Sequence, residues 1–327
     1  MKIACRALVG LLALLCVCIA AEARAAEATW PKSITLGTAS PGGPYYVYGQ
    51  GVATILGHAL GIEVTAQATQ GPSQNVVLLE KREAMLGFTT MGIALQGWNG
   101  TGWAKGTSYR AMRAIFPMFD TPFQFVVPKK SAIRSIDALA GKRLGNGPRA
   151  GTGGIYFPEV FKALGIQVAQ QNSSWEEALS KVVSGELDGM AVAAGVPLPA
   201  LAETDAKEPM VFVPLSPEQI ATLRQSLPEL SLSTIPAGSY PSMTEDYHTV
   251  GLFNFAIAHK DLPDDLVYRM VKSVYENHDQ LVKAHPAAKE TIATNVDRDS
   301  FLPFHPGAVR YYREIGVAIP DALIATE

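Results

Sequence analysis

The residue types that carry catalysis are present in this chain but scattered. Six histidines, His58, His248, His259, His278, His285 and His305, stand far apart, with no zinc-ligand spacing among them. No serine sits in G-x-S-x-G, and there is no H-E-x-x-H, no P-loop lysine and no dinucleotide fingerprint followed by a placed acid. All three cysteines, Cys5, Cys16 and Cys18, lie in the N-terminal segment, so the remainder has no thiolate nucleophile, no disulfide and no cysteine-held metal. No cofactor or metal is expected. A catalytic pair drawn from distant residues is not visible to spacing, so an exported hydrolase stays open as an alternative.

Two glycine-rich loops offer different chemistry. One is Ser40-Pro41-Gly42-Gly43-Pro44-Tyr45-Tyr46; the other is Gly147-Pro148-Arg149-Ala150-Gly151-Thr152-Gly153-Gly154. Each runs from an expected strand into an expected helix. Glycines allow close backbone approach, and the N–H groups and dipole of a helix start favour an anion. Ser40 and Thr152 add hydroxyls, and Arg149 adds a guanidinium fork suited to a carboxylate. Taken singly, either loop reads as well as an ordinary strand-to-helix turn. A third polar loop, Gln70-Gly71-Pro72-Ser73-Gln74-Asn75, has the same position, although Ser73 or Asn75 can serve as a helix cap. Thr90 ends the third strand, where α/β folds place ligands.

The elements that must position these loops follow from periodicity. Strands over 33–36, 63–68 and 84–89 alternate with helices over 45–60 and 73–83. Strands at 123–127, from 144, and at 190–194 interleave with helices over 135–139, 155–164 and 175–184. These connections are too long for hairpins, so both series predict parallel sheets covered by helices. The tail predicts a strand over 211–215, a helix over 217–227, a returning strand over 249–258, an amphipathic helix over 264–284 and a closing helix over 306–315. Aromatics at 98–103 and 116–123 read as core. Two α/β units in a chain of 327 residues suggest two lobes.

The N-terminus reads as an export signal. Lys2 and Arg6 precede about 15 apolar residues, short of the roughly 20 that span a bilayer. Ala23-Arg24-Ala25 then supplies small residues at the cleavage positions, so cleavage near Ala25 is expected. A membrane anchor is the alternative, and the length argues against it. Beyond residue 25 there are 24 basic and 29 acidic residues, with no basic face of the kind nucleic acid requires.

At its loops the chain resembles the TAXI-type solute receptors of TRAP transporters. The likeness is carried by Gly37-Thr38-Ala39-Ser40-Pro41-Gly42-Gly43-Pro44-Tyr45-Tyr46 and by Gln67 through Asn75. Leu86-Gly87-Phe88, Gly141-Lys142-Arg143 with the loop 147–154, Leu187-Asp188-Gly189 and Ala194-Gly195-Val196-Pro197 continue it in order. The resemblance implies a type II-like, two-lobed periplasmic-binding-protein fold, α/β in class, with the ligand cleft between the lobes. It implies a monomeric periplasmic receptor that closes by a hinge on a small organic anion resembling glutamate or 2-oxoglutarate. Its partners would be TRAP permease membrane subunits; an ABC importer or a sensor kinase is the alternative partner. The ligand residues it implies are Ser40, Gly42, Gly43, Tyr45, Gln70, Ser73, Thr90, Arg149, Gly151 and Thr152. The implied division is an export segment 1–25, lobe 1 over 26–121, lobe 2 over 122–252, and a hinge return with C-terminal helices over 253–327, mainly completing lobe 1. The chain departs from the family at Thr90, where many relatives carry Gln, and at Arg149–Gly153, where many carry a Gly-Ser-Gly-Thr loop. Both departures touch the expected pocket, so the relatives' ligand is not carried over.

Overall fold

The computed structural model describes residues 30–298 and 301–325. The export segment expected over 1–25 lies outside the described residues. In the first unit, β1 (Ser33–Gly37) lies parallel to and between β2 (Glu63–Gln67) and β3 (Leu86–Thr90). α1 (Pro44–Leu60) and α2 (Pro72–Glu80) make the crossovers, and α3 (Met91–Asn99) leaves directly from β3. β3 is buried at every position and its sequence is unbroken in small and apolar residues and threonine. β2, at the sheet edge, alternates exposed and half-buried positions.

β4 (Met112–Pro128) leads into the second unit. There β5 (Arg143–Gly145) lies parallel to and between β6 (Ala169–Gln171) and β7 (Gly189–Ala193), with α4 (Thr152–Ala163) and α5 (Trp175–Ser184) as crossovers. α6 (Pro199–Asp205), β8 (Met210–Phe212), α7 (Pro217–Ser226) and β9 (Ser231–Ile235) follow. β10 (Tyr247–His259) then returns.

Two long strands join the units. β4 pairs with β10 through its first half and with β7 through its second. β10 pairs with β9 at its start and with β3 at its end. The resulting order is β2-β1-β3-β10-β4-β7-β5-β6, with both β4–β10 and β3–β10 antiparallel. At the waist Gly251 faces Pro122, and the register slips between Phe253 and Phe255. This is a mixed α/β fold of two lobes.

One core holds the first lobe: Leu36, Tyr48, Phe88, Phe119 and Phe255 pack with Val271 and Tyr312 from the last helices. The second lobe has a core on each face of its sheet, one around Phe125, Phe157 and Phe161 and one around Leu179, Val192 and Leu198. α8 (Asp264–Glu276) buries the expected stripe of Leu266, Val267, Met270, Val271 and Val274. α9 (His278–Ala284) and α10 (Pro306–Glu314) contribute Leu281, Ala308 and Tyr312 to the first core.

Some elements differ from expectation. The helix predicted over 264–284 is two helices, broken at Asn277, whose side-chain amide donates to Ser273 O at 2.8 Å. The strand expected at 123–127 is the second half of the longer β4. The strand expected over 211–215 is Met210–Phe212, and the helix over 135–139 is a single 3₁₀ turn, Asp137–Leu139. Ser73 is not a cap: Gly71 holds that position, Pro72 starts the helix, and Ser73 lies inside the first turn.

Candidate functional site

Strands that end in parallel at the middle of the molecule deliver their following loops to the same place. Ala39, Gly43, Pro44 and Tyr45 come from the β1–α1 loop, and Gln70, Gly71 and Pro72 from the β2–α2 loop. Pro148, Gly151 and Thr152 come from the β5–α4 loop, Trp175 from the start of α5, and Ala193, Ala194 and Gly195 from the end of β7. With Thr121 of β4 they line a cleft, open to solvent on one side, in which the centre of a water-sized sphere can reach about 50 Å³. Both lobes contribute, so the cavity exists only when the lobes face each other.

Four helices begin at its wall, and three of them have no side-chain cap. The N-cap residues of α1, α2 and α4 are Gly43, Gly71 and Gly151, which carry no side chain to accept the first N–H groups. α5 starts there too, with Ser174 accepting from Glu177 N. The helix ends place partial positive charge around the cavity. No Asp, Glu, Lys, Arg or His is among the residues that line it.

Behind the wall runs a buried hydrogen-bond chain. The Tyr45 hydroxyl donates to Asn254 Oδ1, and Asn254 Nδ2 donates to Thr121 Oγ1 at 2.7 Å and to Phe119 O at 2.5 Å. Burial pushes the Tyr45 phenol well above its ordinary range, so it stays a neutral donor. Asn254 sits at the waist, in the part of β10 where the register slips.

The lobes touch at several points outside the cavity. Ser73 N and Ser73 Oγ donate to Ala150 O at 3.3 and 3.0 Å. Thr90 Oγ1 lies 3.3 Å from Thr152 Oγ1, and Ala200 N donates to Gly42 O at 3.4 Å. A Cβ on Gly42 would sit 2.0 Å from the Glu176 carboxylate, and one on Gly71 would sit 2.9 Å from Gly151 Cα. Both glycines have positive φ, +76° and +122°. Their lack of a side chain admits the other lobe.

Of the ten expected ligand residues, Gly43, Tyr45, Gln70, Gly151 and Thr152 line the cavity. Gly42, Ser73 and Thr90 lie off its wall and join the lobes. Ser40 is off the wall as well, and its hydroxyl is buried without a partner among the described residues. Arg149 is exposed and does not line the cavity. The turn closed by Gly151 N donating to Pro148 O carries residue 149 at its crest, away from the enclosed space. Trp175, Thr121 and Asn254 were not anticipated from the sequence. Asn254 had a signal: it is the polar residue in the apolar run Leu252-Phe253-Asn254-Phe255-Ala256, and a buried amide requires partners.

Among the described residues no three His, Cys, Asp or Glu side chains group so as to hold a metal, and no helix is long and apolar enough to cross a membrane.

Solved structures share this architecture. MatC (Rpa3494) from Rhodopseudomonas palustris with bound malate superposes with a TM-score of 0.58 at 13% identity, covering 88% of this chain and 98% of that one. The periplasmic binding protein BugD gives 0.55 at 14% identity, covering 88% and 99%. A periplasmic transporter structure gives 0.51 at 14% identity, covering 87% and 92%. At such identities the likeness establishes the fold, that of the two-lobed periplasmic binding proteins. Residues 36–316 match the NMT1-like family.

Proposed function

The chain belongs to the NMT1-like family, and on that footing we propose that it is a non-catalytic solute receptor that captures a small organic anion in the periplasm. The observation that carries this reading is the convergence of three uncapped helix starts on one cavity walled by both lobes. An anion there is held by N–H groups and by the hydroxyl of Thr152, with solvent excluded by closure. Ligand bound between lobes favours the closed form because it touches both walls only there. The loop motifs support a TAXI-type receptor, whose partner is a TRAP permease. The lobes divide at 121/122 and 252/253, and the chain is exported by a signal cleaved near Ala25.

The test is mass spectrometry of ligand retained on purification, with thermal unfolding across a panel of organic anions. A bound anion recovered chemically unchanged supports the receptor, and ligand at 100 times its Kd adds about 2.7 kcal/mol of stability. Consumption of the compound during incubation refutes it in favour of an enzyme. Sequencing the N-terminus of the periplasmic protein checks the cleavage site, and co-purification with permease subunits identifies the partner class.

A further inference from the structure

Given an anion receptor, as proposed above, the hydrogen-bond directions at the waist name one of its ligand contacts. We infer that Thr121 is a ligand-binding residue whose hydroxyl donates to an acceptor oxygen of the bound anion, with Asn254 behind it as a positioning residue.

The directions follow from one carbonyl. Phe119 O can only accept, so the Asn254 amide must turn Nδ2 towards it, at 2.5 Å. That places Oδ1 against the Tyr45 hydroxyl, which donates to it. The second Nδ2 proton goes to Thr121 Oγ1 at 2.7 Å, so the Thr121 hydroxyl accepts in this bond and keeps its own proton. Among the described residues no group accepts that proton. Thr121 is 2% exposed, and a donor so buried is costly to leave unpaired. What it faces is the cleft, whose wall it forms between the two lobes.

The rest of the residue is engaged elsewhere. Thr121 N donates to Asp120 Oδ1, and the backbone stands opposite Leu252 in the β4–β10 ladder. The side chain is therefore the part left for the cleft. Tyr45 lines the same cleft, but its proton is committed to Asn254, so it brings its ring rather than a donor. An anionic oxygen gains most from the free hydroxyl, because a charged acceptor makes the stronger hydrogen bond. Thr121 also lies on the strand that crosses the waist, next to the lobe boundary. A contact at the pivot persists with the lobes apart or together, so it adds affinity without driving closure.

Titration calorimetry with glutamate, malate, 2-oxoglutarate, lactate and pyruvate finds the tightest of the five on the parent protein, and that compound is then titrated into variants. Thr121→Val removes the hydroxyl at nearly constant shape; Kd should rise about tenfold or more, the loss expected for a hydrogen bond to a charged group. Thr121→Ser restores the hydroxyl and should bring Kd back to within about threefold of the parent. Asn254→Leu breaks the waist bond but leaves the Thr121 hydroxyl; adding Thr121→Val to it should still raise Kd about fivefold or more. Saturated Thr121→Val should scatter X-rays as compactly as the parent. Unchanged Kd in Thr121→Val, a wider saturated particle, or no further loss on the Asn254→Leu background assigns Thr121 to bracing the waist alone; each overturns the inference and leaves the anion receptor standing. Failure of all five compounds to bind the parent overturns both.

Discussion

Tyr45, Asn254 and Thr121 tie the start of α1 to the two strands that cross the waist. Asn254 is fully buried, and its amide satisfies groups from three places at once. Asn254→Leu therefore leaves the Phe119 carbonyl and the Tyr45 hydroxyl without their partner. The expected cost is about 1–3 kcal/mol of stability, read from the urea midpoint at unchanged slope. On the cavity wall, Thr152→Val removes one hydroxyl at nearly constant shape and should weaken ligand binding by about 0.5–1.5 kcal/mol in titration calorimetry. Arg149→Ala should leave Kd within about 0.5 kcal/mol, since its side chain stands in solvent; a tenfold loss would return Arg149 to the site. Residue type suggested the reverse, because a guanidinium in a glycine-rich loop matches a carboxylate so well. Whether that fork faces inward depends on one tight turn, and the identity of residue 149 does not reveal it.

At the level of elements, the parallel units were legible because crossover helices enforce long spacings between buried strands. The first half of β4 was not. Pro117, Asp120 and Pro122 argue against a strand, yet Pro117 sits opposite Phe255, beside the register shifts of β10, and Pro122 opposite Gly251. Cavity-lining loops were legible as glycine-rich punctuation, but the partner of each glycine was not. Gly71 illustrates the point: its positive φ and its approach to Gly151 Cα concern the opposite lobe. Gly71→Ala should strain the closed arrangement by about 1–3 kcal/mol while leaving each lobe folded. Small-angle scattering should then show a wider particle at saturating ligand, and Kd should rise about tenfold or more. An unchanged scattering profile and Kd would refute the contact's role in closure.

For the molecule as a whole, the waist holds an acidic pair. Asp120 of β4 accepts from Ser233 Oγ of β9 and from Thr121 N, and its own N–H donates to Glu290 Oε2 at 3.2 Å. Burial, then the Asp120 charge, push Glu290 up to about 6, against the pull of Arg298. A carboxyl raised in the folded state favours folding fully below its ordinary value and loses that contribution as pH rises through 6. Glu290 is exposed over much of its length, so solvent screening keeps the effect below about 1 kcal/mol. Glu290→Gln should therefore gain on the parent protein in urea midpoint between pH 4.5 and pH 7; parallel profiles would show that the pair does not couple to folding.

The shared strand β10 also governs when the molecule can take shape. It begins at residue 247 of 327 and supplies an interior strand between β3 and β4. On a growing chain, β3 and β4 are made long before the strand that belongs between them. The first lobe's sheet therefore stays incomplete until most of the polypeptide exists, and the interior pairing is postponed to the end of synthesis. A nascent chain stopped short of Tyr247 should remain protease-sensitive, unable to lock itself into either half.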